Sequence, residues 1–127
     1  MVQLRDIESQ LSEYGFQILG ISPDQPVKIR ETIEKHGMKY QLLSDSKMAA
    51  ARAFGIAYQV DDATLELLAK HGIDLEAASG EKHRELPVPA VFVMGTSGVI
   101  QFEYVNPDYS VRLHPEVLLA AARVARK

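Results

Sequence analysis

Two short apolar runs constrain the fold more than any other feature of this 127-residue sequence. The first is Phe16–Ser22 and the second is Val88–Met94. Apolar runs of this length, bounded by turn residues, indicate buried strands. Because a buried strand needs cover on both faces of its sheet, the two runs favour an architecture in which helices lie above and below one sheet.

Helical patterns occupy the stretches around these strands. Leu4, Ile7 and Leu11 recur at spacings of three and four, which predicts a helix over Val2–Tyr14 that ends at Gly15. Further helices are predicted from Pro26 to His36 with Asp24 as its cap, over Lys47–Phe54, from Asp61-Asp62 to His71, and from Pro115 onward.

The remaining segments are shorter. A tight turn at 95–98 joins the second strand to an apolar run over Val99–Val105, so these two strands are predicted to form a hairpin. Leu42–Leu43 is a possible short strand, and residues 73–86 are predicted to be an irregular loop. The order of elements predicts an α/β sandwich, and one domain over 1–127.

Composition excludes several function classes. The chain has no cysteine, so it holds no disulfide, no thiolate metal site and no cysteine nucleophile of its own. Its net charge is −3 and its basic residues do not cluster beyond 123–127, which argues against nucleic-acid binding. No apolar run approaches the roughly 20 residues of a membrane span, and the first residues show no signal-peptide pattern, so a cytoplasmic protein is expected.

Titratable side chains do not form a recognisable catalytic or metal-binding pattern. His36 and His71 lie at predicted helix ends, His83 lies in the predicted loop, and His114 precedes Pro115. The aspartates at 24, 45, 61 and 62 are placed as helix caps, and a polar cluster at 104–109 is placed in a loop. No metal and no cofactor is therefore expected.

Four segments in one order resemble a known family. They are Ile18-Leu19-Gly20-Ile21-Ser22-Pro23-Asp24, Leu42-Leu43-Ser44-Asp45, Ala53-Phe54-Gly55-Ile56, and Val88-Pro89-Ala90-Val91-Phe92-Val93 before a glycine-bearing turn. Together they resemble the alkyl hydroperoxide reductase/thiol-specific antioxidant (AhpC/TSA) family of peroxiredoxin-like proteins, which have a thioredoxin-like fold. The resemblance implies an antioxidant thiol oxidoreductase that reduces peroxides.

The same resemblance implies that a front segment is missing. In the family branch that this chain resembles, a cysteine turn lies immediately before the helix that corresponds to Val2–Tyr14. We therefore expect a thioredoxin-like three-layer sandwich that lacks its N-terminal strands, including the central strand, because the reading frame starts at an internal methionine or the gene is truncated. Without a cysteine, the chain itself is expected to be inactive.

The resemblance assigns only two residues to the neighbourhood of the active site. Pro89 matches the proline that precedes the hairpin strand in thioredoxin-like folds, and Val88 comes directly before it. This proline is often cis in the family, so a cis Val88–Pro89 bond is expected, with an ordinary trans bond as the alternative. Arg84 is the nearest candidate for the arginine that supports the family's cysteine.

Loss of a central strand would leave a gap of roughly 10 Å between the two flanking strands. Their unpaired amides would each cost on the order of 1–3 kcal/mol, so the gap must close. The flanking strands could pair directly, or a second copy could supply strand edges in a homodimer. The homodimer is the favoured expectation, and a non-catalytic dimerising or partner-binding module is the alternative function.

Overall fold

The structure is a computed structural model that describes residues 7–37, 39–108 and 113–125. Within these residues the helices are α1 (Glu8–Glu13), α2 (Pro26–His36), α3 (Ala49–Ala53), α4 (Asp62–Lys70), α5 (Leu75–Ser79) and α6 (Pro115–Ala125). The strands are β1 (Leu19–Ser22), β2 (Gln41–Ser44), β3 (Ala57–Gln59), β4 (Glu85–Pro87), β5 (Ala90–Met94) and β6 (Ile100–Val105). The predicted mixture of helices and strands is confirmed.

The described strands pair two by two, β1 with β2, β3 with β4, and β5 with β6. β3 and β4 are antiparallel, with Tyr58 opposite Leu86. β5 and β6 form the predicted antiparallel hairpin, and a bulge interrupts its register between Val93 and Met94. The structure therefore distributes its strands over three two-stranded sheets, where one sheet was predicted.

The chain divides into two compact units. Unit 1 comprises Met1–Leu19, Met38–Gln41 and Pro89–Lys127. Its core joins α1, the β5–β6 hairpin and α6 through the buried side chains of Ile7, Leu11, Val93, Leu118 and Ala122. Ile7 and Leu11 are four residues apart, as are Leu118 and Ala122, so each pair lies on one face of its helical segment.

Unit 2 comprises Gly20–Gly37 and Leu42–Val88. Its buried side chains include Ile29, Leu42, Met48, Ala51 and Val60. Met48 is fully buried, at 0% exposure, and its backbone is left-handed with φ 63°. A fully buried side chain on a strained backbone shows that packing outweighs local preference at this position.

Three helices end through the same hydrogen bond. The amide of the residue after a glycine donates to a carbonyl five positions earlier: Phe16 to Leu11, Ile56 to Ala51, and Ile73 to Leu68, each at 2.9 Å. This bond is that of a Schellman motif, in which glycine adopts the left-handed conformation. It places Phe16 in the cap that follows α1, so Phe16 is not part of β1, which begins at Leu19 and not at the predicted Phe16.

Of the aspartates predicted to cap helices, Asp61 and Asp45 do so and Asp24 does not. Asp61 accepts from the Thr64 amide at 2.7 Å and begins α4, as predicted. Asp45 accepts from the amides of Ala50 at 3.0 Å and Ala51 at 2.9 Å, as expected of a cap for α3. The cap predicted at Asp24 is wrong, because Ser22 donates its hydroxyl to the Asp24 carboxylate at 3.1 Å, and Gln25, the residue that precedes α2, makes no side-chain cap.

The prediction of an irregular loop over residues 73–86 is also wrong. This segment contains α5, which Asp74 caps by accepting from the amides of Glu76 and Ala77, and most of β4. The predicted helix over Val2–Tyr14 is confirmed as α1 where it is described, and residues 2–6 lie outside the described part of the chain. Among the described helices, none is long and apolar enough to cross a lipid bilayer.

Candidate functional site

Val88 and Pro89, the two residues assigned by resemblance, each extend a strand ladder by one pair. The Val88 amide donates to the Ile56 carbonyl at 2.7 Å, which continues the β3–β4 register. The Pro89 carbonyl accepts from the Asn106 amide at 3.1 Å, which continues the β5–β6 register. Val88 is half-buried and Pro89 is exposed.

The cis bond predicted between Val88 and Pro89 is wrong, since the described peptide bonds are all trans. Both residues are held by hydrogen bonds that continue the two ladders. The residue before a proline favours the extended region, and an X–Pro bond without a tight turn keeps its ordinary trans preference.

Arg84 is the nearest candidate for the arginine that supports the family's cysteine, and its recorded contacts lie within unit 2. Its side chain pairs with Glu76 at 3.2 Å, and its carbonyl accepts from the Val60 amide at 3.1 Å and from the Gln59 side chain at 3.2 Å. Its backbone is left-handed, with φ 53°. Arg84 therefore fixes the turn that leads into β4, and its guanidinium is turned to a carboxylate.

A cluster that the sequence did not predict lies beside this turn. The His83 ring is 16% exposed and bonds to the Ser46 carbonyl at 2.6 Å and to the Glu85 amide at 3.0 Å. The Glu85 carboxylate is 18% exposed and pairs with Arg52. The Glu85 carboxylate, by its hydrogen bond first and its charge second, raises the pKa of Arg52.

The sequence contains only a weak indication of this cluster, the spacing of His83 and Glu85. His83 and Glu85 are two residues apart, a spacing that lets a ring nitrogen accept from a backbone amide, as His114 does from Glu116 at 3.1 Å. The partners at 46 and 52 lie more than 30 positions away in sequence. Only tertiary structure brings Ser46 to His83 and Arg52 to Glu85.

Unit 1 contains an open groove of about 230 Å³. Its lining combines apolar and polar side chains, namely Glu8, Ser12, Phe16, Gln17, Ile18, Lys39, Tyr40 and Gln41. The Gln17 side chain donates to the Gln41 side chain across it at 3.3 Å. Unit 2 contains a cavity of about 20 Å³ between Pro23, Asp24, Ser79 and neighbouring residues, enough for one water molecule.

Metal-binding geometry is not found in the described residues: no group of three or more histidine, aspartate or glutamate side chains is arranged to hold an ion. Cysteine is absent from the whole sequence. None of the arrangements above therefore supplies a thiolate or a cluster of metal ligands.

The model of the AhpC/TSA family matches residues 1–103. The chain belongs to this family. The resemblance stated from the four sequence segments is thereby confirmed, and the mixed α/β structure is consistent with the thioredoxin-like fold of AhpC/TSA proteins.

Curated relatives match a shorter stretch. A putative peroxiredoxin Bcp from Haemophilus influenzae is 45% identical over 53 residues, which is 42% of this chain and 34% of the relative. Peroxiredoxin Bcp from Escherichia coli is 38% identical over 53 residues, with the same shares. The chain thus matches about a third of the length of these relatives.

Proposed function

We propose that this chain is part of a peroxiredoxin-like thiol oxidoreductase of the cytoplasm and that, as a 127-residue chain, it does not turn over peroxide. Membership of the AhpC/TSA family supports the peroxiredoxin-like part of the proposal. The complete lack of cysteine supports the second half. It is the observation that carries the proposal.

Thiol-dependent peroxide reduction requires a cysteine thiolate, for the following chemical reason. A thiolate attacks one peroxide oxygen, the O–O bond breaks, and the other oxygen leaves as hydroxide. The sulfur becomes a sulfenic acid, which condenses with a second thiol to give a disulfide and water. Methionine thioethers also take up an oxygen from peroxide, but nothing in the chain returns the sulfoxide to the thioether. The chain's four methionines can therefore consume at most four equivalents of peroxide.

A peroxide-consumption assay tests this proposal directly. The purified chain is incubated with hydrogen peroxide and excess dithiothreitol, beside a buffer blank and a cysteine-containing peroxiredoxin as positive control. We expect the rate to equal that of the blank after no more than four equivalents per chain. Sustained consumption in proportion to protein concentration would show that the proposal is wrong.

A second candidate function is a non-catalytic module that forms a homodimer. The observation in its favour is a set of exposed apolar side chains on the hairpin of unit 1: Met94, Val99, Ile100 and Val105 are 42–56% exposed. Met94 and Ile100 are partners in the hairpin register, so they lie together. Exposed apolar side chains that lie together are typical of interaction surfaces.

Light scattering at micromolar concentration tests the dimer. We expect a mass of twice 14.1 kDa for the chain. Ile100→Lys should give a monomer, whereas Leu67→Lys, on the 54% exposed Leu67 of α4, should remain a dimer. A monomer for the unsubstituted chain would rule out this candidate without bearing on the peroxide proposal.

A further inference from the structure

The hydrogen bonds of His83 determine which ring nitrogen carries the proton. The Glu85 amide donates to Nδ1 at 3.0 Å, so Nδ1 must hold a lone pair. The Ser46 carbonyl can only accept, so Nε2, at 2.6 Å from it, must carry the hydrogen. In this arrangement the ring is neutral, and both of its nitrogens are used.

His83 thereby ties two segments of unit 2 together. Ser46 belongs to the connection between β2 and α3, and Glu85 is the first residue of β4. The ring side chain is only 16% exposed, so little water is available to replace either bond. The turn between His83 and Glu85 contains Arg84, whose left-handed backbone stores strain that the bonds around it hold in place.

The Glu85 carboxylate of β4 lies beside the ring, and it links the ring to charged groups of α3 and of the connection before α3. The Glu85 carboxylate lies 4.0 Å from Nδ1 and is paired with Arg52 of α3. Asp45 precedes Ser46, interacts with Arg52 through its charge, and is held by the amides of Ala50 and Ala51. A positive charge on the ring would therefore be attracted by Glu85 and would compete with Arg52 for that carboxylate.

We propose that His83 is a proton-operated latch that exchanges the partner of Glu85 within unit 2. A proton taken from solvent by Nδ1 removes the lone pair that accepts from the Glu85 amide. The Nδ1–H then donates to the Glu85 carboxylate in place of Arg52, and the amide of Glu85 at the start of β4 loses its partner. The latch is closed when the ring is neutral and open when it is protonated.

The inference is independent of peroxide chemistry and of the dimer. It predicts that the start of β4 loosens when the ring gains a proton. Nε2 keeps its bond to the Ser46 carbonyl in both states, because it carries a hydrogen in both. Opening is therefore confined to the turn and to β4, and the Ser46 connection stays attached.

Nitrogen-15 NMR of the intact chain tests the latch. At about pH 8 we expect the Nε2–H tautomer for His83, and on lowering the pH to about 5 we expect hydrogen exchange at the Glu85 amide, corrected for its intrinsic pH dependence, to rise about five- to tenfold. An Nδ1–H tautomer at the higher pH, or corrected exchange that does not change, would overturn the proposal.

His83→Asn is the matched variant. An asparagine oxygen can accept from an amide two residues later, as Asn106 does from Asp108 at 3.0 Å, but it does not titrate. The variant should keep Glu85 amide protection at both pH values, whereas His71→Gln, at an exposed helix end, should keep the wild-type response. An unchanged pH response in His83→Asn would refute the latch, and the wild-type tautomer and exchange data decide the question even should this variant not fold.

Discussion

Met48 is the largest fully buried side chain among the described residues. It is fully buried at 0% exposure, while Met94 of β5 is 44% exposed, so the two methionines form a matched pair. Met48→Ala should lower the free energy of unfolding by about 2–5 kcal/mol, because a cavity replaces the side chain while alanine feels the same left-handed backbone strain. Met94→Ala should change the free energy of unfolding of the single chain by less than about 0.5 kcal/mol, because its side chain is exposed there.

Urea denaturation of both variants checks this prediction. Met48→Leu serves as a further control, since a volume-conserving change should cost less than about 1.5 kcal/mol. Equal losses for Met48→Ala and Met94→Ala would contradict the burial of Met48.

The Asp61 carboxylate makes the stability of the start of α4 depend on pH. Thr64, through its side chain first and its backbone amide second, lowers the pKa of Asp61. A carboxylate whose folded pKa is lower than its unfolded pKa stabilises the fold above the unfolded value, and this contribution disappears as the pH falls through the folded value. We therefore expect the start of α4 to weaken in acid, below the ordinary range of aspartate.

A carboxyl carbon titration by NMR measures the folded pKa of Asp61 directly. Thr64→Ala should move the midpoint upward toward the ordinary aspartate value, because the side-chain hydrogen bond is the larger cause. Asp61→Asn keeps a capping oxygen but removes the titration, so its stability should lack this acid-dependent component. A midpoint for Asp61 at or above the ordinary value would contradict the cap.

At the scale of elements, the end of α5 is tied to the start of α2. The Gln25 amide donates to the Ala78 carbonyl at 2.8 Å, and its side chain donates to the Ala77 carbonyl at 2.8 Å. Gly80 follows with φ +75°, and a Cβ added there would lie 3.2 Å from the Gln25 side-chain oxygen. Gly80 is thus required by its backbone conformation and by its neighbour together.

Gly72 is the matched control, because it has φ +78° and nothing within 4 Å of an added Cβ. Gly72→Ala should cost about 1–2 kcal/mol for the left-handed backbone, and Gly80→Ala should cost more because Gln25 must move. Denaturant unfolding measures both, and a double-mutant cycle with Gln25→Ala should show that only the Gly80 variant couples to position 25. Equal costs at the two glycines would contradict the tie.

Element length decided what the sequence could predict. α2 and α6 have eleven residues each, and the hairpin has a tight turn between apolar runs, so their patterns repeat often enough to be recognised. β3 and β4 have three residues each and α5 has five, which is too short for a period to show. β4 is a strand because Glu85–Pro87 pairs with residues that lie 26 to 30 positions earlier, and local sequence does not encode that pairing.

The candidate site illustrates the same limit. The family could be inferred from four segments in order, because each is local, and the cap at Asp61 follows from its own neighbours. The trans bond before Pro89 depends on two ladders whose partner residues, Ile56 and Asn106, are distant in sequence. His83 lies outside the helices and strands, as predicted, but its bond to Ser46 joins residues 37 positions apart, and local sequence does not encode that contact.

At the scale of the whole molecule, the division into two compact units makes a prediction about how the chain opens. Met48 is buried in unit 2, and Leu118, at 6% exposure, belongs to the core of unit 1. If each unit opens with its own free energy, Met48→Ala should raise native-state hydrogen exchange in α2 and α3, and Leu118→Ala should raise it in β5, β6 and α6. Each variant should leave the other unit's exchange unchanged, as measured by NMR at low denaturant. A rise of the same size in both units for either variant would show instead that the chain opens as one cooperative body, because a single global opening transmits any loss of stability to every protected amide.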